Sequence, residues 1–165
     1  MEELKIKLEK FTENDFSHYF ELVNNEKVME MITERAIEKD EAKTDFDKLI
    51  QNNKLNKNFG NFKIIDNKTN EFIGLAKLEI KTEDEKEAEL GYMILPKHWG
   101  KGIAGKVGKQ LIELAREQNE IERIFAIIDP KNIPSRKILM NNGFESKEFK
   151  DFDGLPGEIL ELKLK

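Results

Sequence analysis

The sequence predicts one α/β (α+β) domain over residues 1–165, with a mixed, mostly antiparallel sheet of about seven strands flanked by about four helices. Three observations carry this. Two apolar runs, 61–65 and 72–78, are split by Asp66-Asn67-Lys68-Thr69-Asn70, which reads as a hairpin turn between antiparallel strands. A strand at 89–95, a glycine loop, a helical run and an isoleucine-rich strand at 121–128 form a βαβ unit, whose strands are parallel and whose crossover is right-handed. Two stretches of helical period near the start supply a layer for the sheet to pack against.

The elements follow in order. Leu4, Ile6 and Leu8 alternate with charged residues, the period of a half-buried strand. Thr12-Glu13-Asn14-Asp15 offers N-cap chemistry before Phe16, Tyr19, Phe20 and Val23, which are spaced as a helix. Over residues 39–52, Ala42, Phe46, Leu49 and Ile50 share one helical face. After the hairpin, a charged tip at 82–87 precedes the strand at 89–95, which Pro96 closes. Val107, Leu111, Ile112, Leu114 and Ala115 carry a helix to about Gln118, and residues 134–142 form another, ended by Gly143. Residues 144–149 and 158–164 read as two final strands around a turn-rich 151–157, and there is no internal repeat or linker.

Composition excludes several kinds of chemistry. The chain has no cysteine, which removes disulfides, thiolate zinc sites and cysteine nucleophiles together. Two histidines, with no HExxH and no Cys/His cluster, predict no metal site. With 28 Lys and Arg against 33 Asp and Glu, the net charge of -5 argues against nucleic-acid binding by broad phosphate neutralisation. The N-terminal MEELKIKLEKF lacks the apolar core of a secretory signal, and no stretch approaches the ~18 apolar residues of a membrane span. A cytoplasmic protein without a membrane partner is expected.

Gly100, Gly102 and Gly105 spell G-x-G-x-x-G, the dinucleotide fingerprint, and Gly105-Lys106 nearly completes a P-loop. A P-loop needs Ser or Thr after its lysine, where this chain has Val107. In a nucleotide-binding Rossmann unit the first glycine follows the strand directly, whereas Pro96-Lys97-His98-Trp99 intervenes here. What these motifs share is retained: glycines let backbone approach a pyrophosphate, and free N–H groups at a helix start bind it.

Glu89-Leu90-Gly91-Tyr92, Trp99-Gly100-Lys101-Gly102-Ile103-Ala104, Asn132-Ile133-Pro134-Ser135 and Asn142-Gly143-Phe144 together resemble the GNAT superfamily of acetyl-CoA-dependent N-acetyltransferases. Within it the chain most resembles the branch of ribosomal-protein N-terminal acetyltransferases: the superfamily's pyrophosphate motif is Gln/Arg-x-x-Gly-x-Gly/Ala, and Trp99 at its first position, before Gly102 and Ala104, is typical of that branch. The resemblance implies a sheet splayed between strands 89–95 and 121–128, with the pantetheine arm in the gap pairing with backbone around Met93, Ile94 and Leu95. It implies that Trp99, Gly100, Lys101, Gly102, Ile103, Ala104 and Gly105 form the pyrophosphate loop, that Lys101 and Lys106 add charge, and that Asn132 bonds the pantetheine.

The resemblance also implies the catalytic roles. A backbone N–H near Met93 serves the oxyanion, and Ser135 matches the position whose hydroxyl sits near the thiol, making it the candidate acid; its alternative is a serine capping a helix. The tyrosine that many members carry four residues later is Leu139 here. Glu89 is the candidate base, with Glu79 and Glu148 as competitors and solvated surface charge as the alternative. Trp99 packs beside the loop or anchors the helix in the core; His98 faces phosphate or solvent; His18 is structural.

The expected activity is acetyl transfer from acetyl-CoA to a primary amine, on a peptide N-terminus or a small molecule, by a monomer or homodimer. The acceptor is expected over residues 25–40 and near the 151–157 turn, where Glu26, Glu30, Glu34, Glu38, Asp151 and Asp153 would suit a peptide N-terminus or a small polycation. A non-catalytic acyl-CoA-binding module on the same fold is the main alternative, and a nicotinamide-dependent oxidoreductase rests on the glycine fingerprint alone.

Overall fold

The computed structural model describes residues 5–165, so Leu4, assigned to the first strand by its alternation, lies outside the described residues. Seven strands form one sheet: β1 (Ile6–Lys10), β2 (Gly60–Asp66), β3 (Phe72–Glu79), β4 (Glu87–Ile94), β5 (Arg123–Ile128), β6 (Glu145–Phe152) and β7 (Leu155–Lys163), in the spatial order β1-β2-β3-β4-β5-β7-β6. Every neighbouring pair is antiparallel except β4 and β5. The helices are α1 (Phe16–Val23), α2 (Glu26–Met29), α3 (Lys39–Asn53), α4 (Ile103–Arg116) and α5 (Ile133–Asn141), with single 3₁₀ turns at Glu13–Asp15 and Pro96–His98.

The two faces of the sheet are covered by different helices. Leu78, Leu90, Ile124, Ala126 and Leu160 pack on one face with Ile103, Val107 and Leu111 of α4 and Leu139 of α5. Leu75, Phe72 and Leu95 pack on the other with Tyr19 and Leu22 of α1, Val28 and Met29 of α2, and Phe46 and Leu49 of α3. On this second face Phe11 meets Phe46 and Phe72 edge to face at 6.3 and 6.2 Å, and His18 stacks on Phe72 at 4.3 Å, the structural role expected of it.

Three departures from the expected elements have physical reasons. α2 is an extra helix of four residues, too short for an apolar period; Asn25 starts it by accepting from the N–H groups of Lys27 and Val28 at 2.9 and 3.2 Å. β1 ends at Lys10, two residues beyond the alternation, because Glu9 and Lys10 continue the ladder opposite Lys63 and Phe62 of β2. The turn-rich 151–157 is a tight hairpin in which Phe152 pairs with Leu155 and Lys150 with Gly157, closed by Asp153 and Gly154 at φ 51° and 91°.

The short pairing of β4 with β5 positions the site. It covers only Glu87 with Arg123, Ala88 with Ile124 and Glu89 with Phe125, after which the strands part as expected. The far side of β4 is held by β3, and there a Cβ on Gly74 would collide with the Met93 carbonyl oxygen. Because that obstacle is backbone, Gly74→Ala is expected to lower stability by about 1–3 kcal/mol through overpacking. A urea titration against the parent chain checks this.

Candidate active site

Where β4 and β5 separate, a cavity of about 1350 Å³ opens through the sheet. One end lies against the start of α4, the other over the α1 to α3 face. Met93, Ile94, Trp99, Gly100, Gly102, Ile103, Ala104, Gly105, Asn132, Ser135 and Glu89 all line it.

The loop before α4 is built to present backbone. Gly100 and Gly102 take φ of 79° and 75°, a left-handed conformation that side chains disfavour, and Gly102 caps α4 with no side chain bonded to the first N–H groups. Those groups lie at the positive end of a fourteen-residue helix, where an anion is favoured over a cation. Trp99 is half-exposed rather than in the core; its Nε1–H donates to the Ile94 carbonyl at 2.7 Å and pins the loop to the end of β4.

Two residues expected to hold cofactor do not line the cavity. Leu95 is buried among α1 to α3, its N–H donating to the Ile73 carbonyl at 3.0 Å and its carbonyl accepting from His98 N–H at 2.9 Å, so its backbone is used internally. Lys101 is exposed and stands outside the lining, as does Lys106, the other lysine expected to add charge there. His98 faces neither solvent nor the loop alone: it is buried, with Nε2 2.8 Å from Glu71 Oε2 but bent away from hydrogen-bond geometry. Burial draws its imidazole below the ordinary value, opposing the upward pull of the Glu71 carboxylate.

At the parting of the strands, two hydroxyls meet. Tyr92 Oη donates to Ser135 Oγ at 2.9 Å, joining β4 to the first turn of α5. The alternative of a helix-capping Ser135 is not the arrangement found: Asn132 is the cap, its Oδ1 accepting from Ser135 N–H at 3.3 Å, which leaves the serine hydroxyl to the cavity. Ser135 is only 8% exposed. Burial pushes the Tyr92 phenol above its ordinary value, against the opposing effect of the Ser135 hydrogen bond, so Tyr92 is a proton donor at neutral pH. Tyr92 stands inside a motif visible in the sequence, yet nothing there signals a partner 43 residues away.

The carboxylates separate clearly. Glu89 lines the cavity in an ion pair with Lys77, Nζ to Oε2 3.1 Å. Lys77 reaches it by lying across Gly91, where a Cβ would meet its side chain at 2.9 Å. Glu79, directly opposite Glu89 in register, also lines the cavity and accepts from Asn61 Nδ2 at 2.9 Å. Glu148 is exposed on β6 and outside the lining, which removes it as a competitor for the base. Behind Ser135, the next residue, Arg136, holds both oxygens of the fully buried Glu158 through Nε at 3.1 Å.

The sheet is opened between two parallel strands, with a helix start on one side of the gap and the α1 to α3 face on the other. Comparison with known proteins agrees in kind: residues 5–145 match the model of the acetyltransferase (GNAT) domain, and the chain belongs to that family. It is 30% identical over 102 residues to the uncharacterized N-acetyltransferase p20 of Bacillus licheniformis, covering 61% of this chain and 57% of that protein's length. Its fold matches a GNAT-family acetyltransferase from Bacillus anthracis (TM-score 0.78, 18% identity, 99% and 98% of the two chains). It also matches a Vibrio cholerae spermidine N-acetyltransferase solved with CoA and spermine (TM-score 0.80, 20% identity, 96% and 95%). Among the described residues, no helix is long and apolar enough to cross a membrane.

Proposed function

We propose that the protein transfers an acetyl group from acetyl-CoA to a primary amine, by direct attack with both substrates bound. The observation that carries this is the Tyr92–Ser135 hydroxyl pair at the parting of β4 and β5, beside the uncapped start of α4. The residues fit the cofactor: the N–H groups of 103–105 suit its pyrophosphate, and the unpaired edges of β4 and β5 suit an amide-bearing arm. Asn132 Oδ1 is spent on its helix, so a bond to that arm falls to its Nδ2.

Bound acetyl-CoA supplies a thioester: the amine nitrogen bonds the acetyl carbon as the carbon–sulfur bond breaks, the amine loses a proton and the departing sulfur takes one. Ser135 Oγ, fixed by Tyr92, gives that proton while taking the one Tyr92 Oη donates to it, and the phenolate regains a proton from water. Glu89, poised by Lys77 on the acceptor side of β4, takes the proton of the amine through water, and backbone N–H near Met93 faces the developing oxyanion. The branch of ribosomal-protein N-terminal acetyltransferases is supported by Trp99, Gly102 and Ala104.

Thermal shift followed by a thiol-release screen over amines and peptides tests the reading. Stabilisation by CoA but not by NAD, with thiol released for at least one amine, is the expected result. Stabilisation by NAD alone overturns it. Stabilisation by CoA with no acceptor turned over makes the protein a binding module.

A further inference from the structure

We infer that the acceptor arm of the cavity selects a primary amine carried on an apolar body, in preference to a polycation; this rests on the acetyl-transfer reading above. The arm lies on the sheet face that bears Glu89, Gly91 and Met93. Its walls are apolar and open. Met31 and Ile32, just after α2, are 37% and 44% exposed, Ile127 on β5 is 37% exposed, and all three line the cavity. From the other side comes Phe152, whose ring lies so closely over Gly157 that any Cβ there would strike it, and Leu155 beside it at the hairpin tip. Large apolar side chains left in water at the mouth of a substrate cleft, on two elements that face one another, are suited to cover by an apolar ligand group.

The charges point the same way. A polycation needs a second uncompensated carboxylate at a fixed distance from the reacting amine. Here Glu89 is paired with Lys77 and Glu79 accepts from Asn61, and the five carboxylates that line the cavity, Glu30 and Asp45 among them, are matched by five lysines, so the lining carries no net negative charge to favour a polycation. Of the acidic residues in the flanking segments, Glu26, Glu34, Glu38, Asp151 and Asp153 are exposed and outside the lining. Glu30 does line it, with Lys27 one helical turn before it. Apart from Glu30, the acidic character of these segments, read from sequence as suited to a peptide N-terminus or a small polycation, belongs to the solvent side of the walls.

The test is a series of n-alkylamines from propyl to octyl, with spermidine and ethanolamine as comparisons, read as kcat/KM for thiol release and by calorimetric titration into the CoA-loaded protein. Burial of each added methylene predicts a rise of about three- to fourfold in kcat/KM and in affinity until the arm is full. Ile127→Asn and Ile32→Asn are each expected to flatten that slope while leaving the thermal shift caused by CoA unchanged. A flat series, or spermidine preferred to hexylamine, overturns the inference and leaves acetyl transfer standing. Alkylamines that bind with the expected slope but are never acetylated support the pocket and overturn the transfer reading.

Discussion

Ser135→Ala is expected to lower kcat by about 10²- to 10³-fold, the range of a positioned general acid, with little change in affinity for CoA. The reason is local. Ser135 Oγ is buried, receives its hydrogen bond from Tyr92 at 2.9 Å, and has the backbone of its own helix already capped by Asn132, so its proton is free for the cavity. Tyr92→Phe removes the donor but keeps the ring. It is expected to cost about tenfold in kcat, equivalent to one hydrogen bond of ordinary strength, and to leave CoA binding intact. Rapid-mixing kinetics at saturating acetyl-CoA, with Kd for CoA by calorimetry, separates the outcomes. Unchanged kcat in Ser135→Ala removes the serine from the chemistry, and a Tyr92→Phe effect confined to KM removes the tyrosine as a positioning residue.

The second large effect is on stability. Glu158 has no solvent exposure, and its carboxylate is held at both oxygens by Arg136 at 3.1 Å. Arg136→Ala strands that charge; because the arginine is itself 39% exposed, the cost is expected at the lower end of the range for a broken buried pair, about 3 kcal/mol. In a chain of 165 residues each kcal/mol moves Tm by about 2–4 °C, so a fall of about 10 °C is expected. Replacing both partners with methionine should recover most of that loss, because the desolvated charge goes with its partner. Scanning calorimetry of the single and double variants decides it; equal Tm for Arg136→Ala and the parent would show that the pair contributes nothing.

Much of this architecture is legible in the sequence because it is written in local patterns. The hairpin at 66–70, the βαβ unit around Gly100 to Gly105, and the parting of its strands all appear as expected. What escaped is what depends on distance or on length. α2 has a single turn, so no period announces it. The 151–157 hairpin was hidden by Pro156 and Gly157, although Asp153-Gly154 is itself a strong tight-turn signal. At the candidate site the glycine loop is a local motif, and all of its residues from Trp99 to Gly105 except Lys101 line the cavity. Tyr92 with Ser135, Lys77 with Glu89 and Arg136 with Glu158 are pairs between separate elements, and only folding brings them together. Leu95 and His98 sit beside the loop in sequence but are buried at the 3₁₀ turn Pro96–His98: Leu95 turns into the α1 to α3 core, while His98 lines the cavity and lies against Glu71.

The three-residue pairing of β4 with β5 also bears on how the molecule holds together. Among the described residues it is the only ladder joining β1 to β4 with β5, β7 and β6, so the sheet is two blocks stitched by a brief seam. Helix α4 spans them, packing on β3 and β4 as well as on α5. A ligand lying along the parted edges touches both blocks at once and acts as a clasp. Its binding energy is then added to the resistance of the seam to local opening, and occupancy of the cleft sets how far the two blocks unfold as one cooperative unit.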